Sequence, residues 1–262
     1  MFNSDQVAHL WWLASKYQKL ESNDFISKYS DKIDWEVFSQ HQTLSEEFIR
    51  EHQDLVDWRR ISQYQKLSES FIHEFQRKVY WEYISQYQVL SQEFIEDHQN
   101  LVDWVNISQY QTLSPPFMIK HKDQVYWYDA CYHQHLPESL ILALPTYMSW
   151  AWVCERQPLS EDTIRALKTR IHWTATCRSQ KLSEEFMREF QSKIDWNTTS
   201  EYQTLSEDFI REFKDRVEWK HVCRHQKLSE AFILEMKDYV VWPCVLTYQT
   251  LSESTITQIL NS

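Results

Sequence analysis

Apolar and polar residues follow one pattern along most of this chain, and the pattern recurs every 23 residues. Counted from a tryptophan as position 0, apolar or narrowly specified residues stand at positions 0, 3, 4 and 7, which share one face of an α-helix. In the copy that begins at Trp58 these are Trp58, Ile61, Ser62 and Gln65. The pattern predicts a first helix of about two turns that begins at the tryptophan. The residue before the tryptophan is often an aspartate suited to capping it: Asp34, Asp57, Asp103 and Asp195.

A second helix is predicted from position 10 of each copy. Position 9 is leucine in all eleven copies, and position 10 is serine in nine of them, followed mostly by acidic residues. Serine caps free N–H groups, and carboxylates complement the positive end of the helix dipole. We expect this helix to bury positions 13, 14, 17 and 21, which in the copy from Trp196 are Phe209, Ile210, Phe213 and Val217.

The copies cover nearly the whole chain and predict its architecture. Helices this short are not stable alone, so each pair must pack on the next pair. The fold class expected is therefore an all-α solenoid of eleven 23-residue repeats with two short helices each, and a 3₁₀ form for one helix stays open. Residues 1–10 are predicted as an N-terminal capping helix and 11–262 as a single repeat solenoid. Its copies begin at Trp11, Trp35, Trp58, Trp81, Trp104, Trp127, Trp150, Trp173, Trp196, Trp219 and Trp242.

Composition narrows the function classes. The chain has no glycine, which disfavours architectures rich in hairpins. A net charge of −11 makes nucleic acid an unlikely partner, although Arg59 and Arg60 form a local basic pair. Neither a signal peptide nor a membrane-spanning run stands out, so we expect a soluble cytoplasmic protein without a membrane partner.

Cysteine usage agrees with a reducing compartment. Cys131, Cys154, Cys177 and Cys223 all stand at position 4, where six other copies have serine. A position that accepts serine or cysteine requires a small side chain at a helix contact and does not indicate a disulfide.

The repeat pattern WxxISxYQxLSExFIxEFxxxVDW resembles the short tryptophan-containing tandem repeats of proteins from large DNA viruses that infect amoebae. The resemblance covers residues 11 to about 260, and the copies from Trp127 and Trp150 depart most, with Leu140 and Thr163 in place of phenylalanine. It implies an interaction scaffold, and it brings no active-site motif with it. It also implies a location in the host-cell cytoplasm or in the virion.

Glutamine stands at position 7 of every copy. These residues are either a row of ligand-binding amides or a structural ladder in which each amide satisfies backbone groups at the turn or in the next repeat. Because buried polar groups are generally paired, eleven identical side chains on the buried face favour the ladder. Its members include Gln42, Gln65, Gln88, Gln111, Gln134, Gln157, Gln180, Gln203 and Gln226, with Gln18 and Gln249 at the two ends.

Information specific to this protein must lie where the copies differ. Positions 1, 2 and 5 vary freely and form a candidate partner-binding stripe, unless their variation is neutral drift; its members include Arg59, Arg60, Tyr83 and Tyr128. A second candidate is the central apolar patch, where positions 15 and 16 lose their charge. Either this patch binds a partner or a second copy of the chain, or Pro145 shortens the helix and the patch folds inward. The patch consists of Leu142, Ala143, Tyr147 and Trp152.

No catalytic, cofactor or metal site is predicted. Cys131, His133 and His135 are metal ligands by type, but alternate residues do not share a helix face. The glutamates at positions 11, 12 and 16 are interpreted as solvated helix surface. The function expected is a non-enzymatic protein–protein interaction scaffold. A self-associating structural or virion component, dimerising through the central repeats, is the alternative, and a metal-dependent enzyme comes third.

Overall fold

The computed structural model describes residues 3–20 and 22–260, and of residues 23 and 24 only the backbone. Within these ranges the chain is entirely helical, with 22 helices in regular pairs and no strand, so the predicted all-α repeat class is confirmed. The first helices of the copies are α1 Ser4–Tyr17, α3 Trp35–His41, α5 Trp58–Tyr64, α7 Trp81–Tyr87, α9 Trp104–Tyr110, α11 Trp127–His133, α13 Trp150–Arg156, α15 Trp173–Ser179, α17 Trp196–Tyr202, α19 Trp219–His225 and α21 Trp242–Tyr248. The second helices are α2 Asn23–Lys28, α4 Glu46–Glu51, α6 Glu69–Glu74, α8 Gln92–Asp97, α10 Pro115–Lys120, α12 Glu138–Ala143, α14 Glu161–Ala166, α16 Glu184–Glu189, α18 Glu207–Glu212, α20 Glu230–Glu235 and α22 Glu253–Leu260.

The chain divides into two compact units, and the division falls between the two helices of the copy from Trp127. Unit 1 extends to Gln134 and unit 2 begins at His135. In unit 1, each odd-numbered helix from α1 to α11 packs against the next odd-numbered helix. In unit 2, the odd-numbered helices from α13 to α21 pack in the same way. Stacking of the first helices is therefore the repeated contact inside each unit, as expected for a solenoid-like arrangement.

The first helix begins and ends as its sequence predicts. Asp57 caps α5, because its carboxylate accepts a hydrogen bond from the Arg60 N–H at 2.9 Å. The helix ends at Gln65, whose backbone is extended (φ −90°, ψ 147°). No described residue has a positive φ, so the connections need no left-handed turn and therefore no glycine.

The second helix is shorter than the burial pattern suggests. Ser206 caps α18 through its hydroxyl, which accepts from the Phe209 N–H at 3.1 Å. The helix has six residues, and Phe213 already has a non-helical backbone (φ −111°, ψ 29°). Phe213 and Val217 are both buried, as predicted, but Val217 reaches the core from the turn that follows the helix. Both helices of the copy are α-helices, so the 3₁₀ alternative is not realised here.

In the copy from Trp58 the core is aromatic and is built on the tryptophan. The Trp58 ring lies 4.9 Å from Phe75, and Phe71 lies 4.7 Å from Phe75, between ring centroids. The indole N–H of Trp58 donates to the Gln53 carbonyl oxygen at 2.8 Å, five residues earlier. The tryptophan thus joins the end of one copy to the interior of the next.

The segment predicted as a separate capping helix is continuous with the first copy. Helix α1 runs without a break through Trp11, and its cap is Asn3, which exchanges hydrogen bonds with Gln6. Residues 1, 2, 21, 261 and 262 of the predicted segments lie outside the described residues. In the described part of the chain, no helix combines the length and the apolar character needed to cross a bilayer.

Candidate functional site

The position-7 glutamines connect each copy to the copy before it. The Gln88 Nε2 group donates to the carbonyl oxygens of Ser62 at 3.1 Å and Gln65 at 2.8 Å, while its Oε1 accepts from the Leu67 N–H at 3.1 Å. The last carbonyls of a helix have no partner within it, so Gln88 satisfies the C-terminal end of α5. The same pair of donated bonds is made by Gln42, Gln65, Gln88, Gln111, Gln134, Gln180, Gln203, Gln226 and Gln249.

Because of these bonds, the glutamine amides are part of the packed structure between copies. Gln157, whose Oε1 accepts from the Leu136 N–H at 2.8 Å, is 2% exposed. The side chain of Gln18, in the first copy, is exposed. The geometry is that of a structural ladder and leaves the bonded glutamine amides no donor for a ligand.

The small residue at position 4 completes the same junction. Ser62 donates to the Trp58 carbonyl oxygen at 2.7 Å and accepts from the Tyr80 N–H at 2.9 Å. Cysteine performs the accepting part of this role, since the Val241 N–H lies 3.4 Å from Cys223 Sγ. Burial raises the thiol pKa of Cys154, Cys177 and Cys223, which makes these cysteines poor nucleophiles.

The position-11 carboxylates are half-exposed, and they make a contact between copies that the sequence interpretation did not include. Glu184 accepts a hydrogen bond from the main-chain N–H of Ser206, one copy later, at 2.7 Å. Glu46 does the same for Ser68 at 2.6 Å, and Gln92 for Ser114 at 3.1 Å. The sequence interpretation did not include this contact, because the N-terminal end of a second helix and the first side chain of the preceding second helix come together only through stacking.

Positions 15 and 16 form a row of ion pairs on the second helices. Arg188 donates to Glu212 at 2.8 Å, and its guanidinium lies 5.1 Å from the centroid of the Phe209 ring. Arg50 pairs in the same way with Glu74 in unit 1. The groups are exposed, so each ion pair adds little to stability. The pairs make this surface of the second helices charged.

The variable stripe consists of side chains that contact each other across copies. The Arg59 guanidinium donates to the Tyr83 hydroxyl at 2.6 and 2.9 Å and lies over its ring. Arg60 pairs with Glu36 at 2.6 Å. Tyr128, on α11, is 57% exposed. Arg59, Arg60 and Tyr83 therefore belong to one surface of the first helices in unit 1.

A column of tyrosines at position 6 lies beside this stripe, and the sequence interpretation did not select it. The Tyr83 and Tyr87 rings are 6.1 Å apart, and Tyr110 lies 6.5 Å from the ring of His133, its equivalent in the next copy. The exposed fractions are 46% for Tyr64, 48% for Tyr87 and 48% for Tyr110. They were not selected because they recur in many copies, as framework residues do. Position 6 is nevertheless not on the helix face that positions 0, 3, 4 and 7 share. We call Tyr64, Tyr83, Tyr87 and Tyr110 the tyrosine face.

The central apolar patch lies in unit 2 and does not fold inward. Helix α12 ends at Ala143, the same relative position as the other six-residue second helices, so Pro145 does not shorten it. Leu142 is 44% exposed and Ala143 is exposed, while Tyr147 and Trp152 are half-buried. The alternative of an inward-folded patch is therefore wrong, because Pro145 falls two residues beyond the helix end.

The three sequence-nominated metal ligands do not form a cluster. Cys131 is fully buried on α11, whereas His133 is exposed at the end of the same helix and contacts Gln109. In the described residues, the one group of three whose ligand atoms are close enough for a metal is Glu201, His221 and His225. The sequence interpretation missed it because Glu201 and His221 come together only through stacking of α17 and α19. The available signal was the His221–His225 spacing of four residues.

With this geometry defined, comparison with known proteins gives no further assignment. The chain matches no protein-family model, no curated protein and no solved structure.

Proposed function

We propose that this protein is a non-enzymatic scaffold that binds a protein partner through the tyrosine face of unit 1. The observation that carries this proposal is the repetition of half-exposed tyrosines at position 6 of successive first helices, from Tyr64 to Tyr110. Tyrosine is enriched where proteins bind each other, since it offers a large apolar ring and a polar hydroxyl with few rotatable bonds.

The backbone beneath the face supports a rigid presentation. Helices α5, α7, α9 and α11 pack in sequence, and the ladder glutamines fasten each helix end to the next copy. A preorganised surface loses little conformational entropy on binding. The face is therefore suited to a partner segment that contacts several copies at once.

The chain offers a matched control within unit 2. Tyr202 and Tyr248 also stand at position 6, but each carries an arginine over its ring, with Arg178 at 5.8 Å and Arg224 at 5.1 Å from the centroids. Tyr87 and Tyr110 lack such an arginine, because the equivalent positions of the preceding copies are Gln63 and Gln86. The position in the repeat is the same in both pairs, while the chemistry around it differs.

The test compares three forms of the tagged protein in quantitative affinity capture. The double variant Tyr87→Ala/Tyr110→Ala should lose a captured protein by roughly tenfold or more, since interface tyrosines are frequent hot spots. The wild type and Tyr202→Ala/Tyr248→Ala should retain it. Equal capture by all three forms, at unchanged helicity by circular dichroism, would contradict the proposal.

Self-association through the central patch is the second candidate, and one observation favours it. In unit 2, position 15 of one copy usually forms an ion pair with position 16 of the next copy, as in Arg165–Glu189 and Arg188–Glu212. In the copies from Trp127 and Trp150, these two positions are Leu142 and Ala166. An exposed leucine thus replaces a charged row. A surface of this kind is suited to burial against a second copy of the chain.

Light scattering over a dilution series tests the second candidate. A dimer that dissociates on Leu142→Glu would support it. Ser139→Glu is the control, because it adds the same charge to α12 at a position that is acidic in other copies, as at Glu185 and Asp208. A monomer at all concentrations, or equal dissociation by both variants, would exclude the patch as a dimer interface.

A further inference from the structure

Two histidines and a glutamate meet on two first helices of unit 2, α17 and α19. His221 and His225 are four residues apart on α19, so they lie on one face of that helix. Glu201 stands on α17, which packs against α19. One ligand atom from each residue lies within 4.8 Å of the other two, and the two imidazole centroids are 5.8 Å apart.

The polar atoms of this cluster are not paired with each other. The Nδ1 atom of His221 is buried and has no hydrogen-bond partner, which is rare for a buried polar atom. The nearest carboxylate oxygen, Glu201 Oε2, is 3.9 Å away and too distant for a hydrogen bond. The three side chains therefore converge without a hydrogen bond between His221 Nδ1 and Glu201.

We propose that Glu201, His221 and His225 bind a divalent transition-metal ion, with zinc as the probe. Imidazole nitrogen and carboxylate oxygen are common zinc ligands, at bond lengths of about 2.0–2.2 Å. Ligand atoms in such a tetrahedral site are about 3.4 Å apart. The separations in the cluster reach this value by small rotations of three side chains that are not fully buried. Three protein ligands leave a position for water or for a further ligand.

The combination occurs in one place among the copies. Position 2 is histidine only in the copy from Trp219, and position 5 is acidic only at Glu155 and Glu201. Two nearby cationic groups lie over aromatic rings, since the guanidinium groups of Arg178 and Arg224 contact Tyr202 and Tyr248. A repeat framework with freely varying surface positions thus brings together, at one interface, three side chains of the type that zinc requires.

The test is isothermal titration of the full chain with zinc chloride in the presence of a non-chelating reductant. The wild type should bind one zinc ion per chain, and His225→Ala should weaken binding by roughly tenfold or more, since even residues that only orient ligands contribute that much. His225 is exposed, so its loss should leave the fold intact. Glu201→Ala and His221→Ala should give the same loss, with helicity checked by circular dichroism.

Matched controls separate this site from zinc uptake elsewhere. His41→Ala removes a position-6 histidine from a copy that has Val37 at position 2, and Glu155→Ala removes the other acidic residue of position 5. Cys244→Ser tests the half-buried thiol one copy further on. All three should retain the affinity of the wild type. Failure of the wild type to bind zinc, or equal losses in His225→Ala and His41→Ala, would overturn the proposal.

Discussion

Gln88 lies 23 residues after Gln65, and its side-chain amide donates to the Gln65 main-chain carbonyl oxygen at 2.8 Å. Helices that end in a left-handed glycine satisfy their last carbonyls from within the same segment. Here the following copy supplies the donor instead. The chain can therefore end these helices without glycine, because the glutamine at position 7 of the next copy satisfies the last carbonyls.

Replacing a ladder glutamine by an apolar residue should be costly. Gln88→Leu leaves two carbonyl oxygens and the Leu67 N–H without their partner, and orphaned buried groups cost about 1–3 kcal/mol each. We expect a loss of roughly 3–9 kcal/mol in the free energy of unfolding, measured with urea. Gln86→Leu, at half-exposed position 5, should change it by about 0.5 kcal/mol or less. Equal effects would contradict the ladder role.

The position-4 residue should tolerate cysteine better than alanine. Ser62→Ala removes the acceptor of the Tyr80 N–H, with an expected loss of about 1–3 kcal/mol. Ser62→Cys keeps an acceptor of the kind seen between Cys223 and the Val241 N–H, so its loss should be smaller. Thermal unfolding of the two variants measures the order. A smaller loss for Ser62→Ala than for Ser62→Cys would show that side-chain size, and not the hydrogen bond, determines stability at this position.

Acid should weaken the second-helix contacts. Hydrogen bonds from Thr255 and Ser252 lower the pKa of Glu230, and a lowered folded-state pKa gives stability that is present above the unfolded value and is lost as pH falls through the folded one. Glu230→Gln keeps an acceptor, as Gln92 does naturally, and does not titrate. We expect a shallower loss of stability below about pH 4.3 in this variant. An unchanged acid profile would exclude Glu230 as a contributor.

The thiols should differ in reactivity. Burial raises the pKa of Cys154, Cys177 and Cys223, so the unreactive neutral thiol persists to higher pH in the folded protein. Cys244 is half-buried. At pH 8, a thiol reagent should therefore modify Cys244 first, and the four buried cysteines, Cys131 included, only on unfolding. Peptide mapping after a timed reaction identifies the modified residue, and early labelling of Cys177 would contradict the buried arrangement.

Periodicity was sufficient to predict the helices, their caps and the buried faces, because each depends on residues within one copy. Asp57 and Ser206 cap the helices that they were predicted to cap. What the sequence did not reveal depends on which copy lies against which. Glu184 reaches the Ser206 N–H through stacking, and only the structure shows that contact.

The candidate sites were harder to predict for the same reason. The tyrosine column was not selected from the sequence, because Tyr64, Tyr87 and Tyr110 recur at a fixed position in the way that core residues do. Glu201 and His221 are 20 residues apart and become neighbours only when α17 and α19 pack. Variation between copies drew attention to Arg59 and Tyr83, which are joined by hydrogen bonds in the structure, and their role in partner binding stays a prediction.

The glutamine junction has a consequence for how such a chain can change in length. Within each unit, successive junctions use the same donor and the same two carbonyl positions, whichever side chains stand on the outer surface. An in-frame duplication or deletion of 23 residues therefore recreates a complete junction and leaves no buried group unpaired. Recombination between copies can lengthen or shorten the protein in whole modules, while the exposed positions of each module diversify independently.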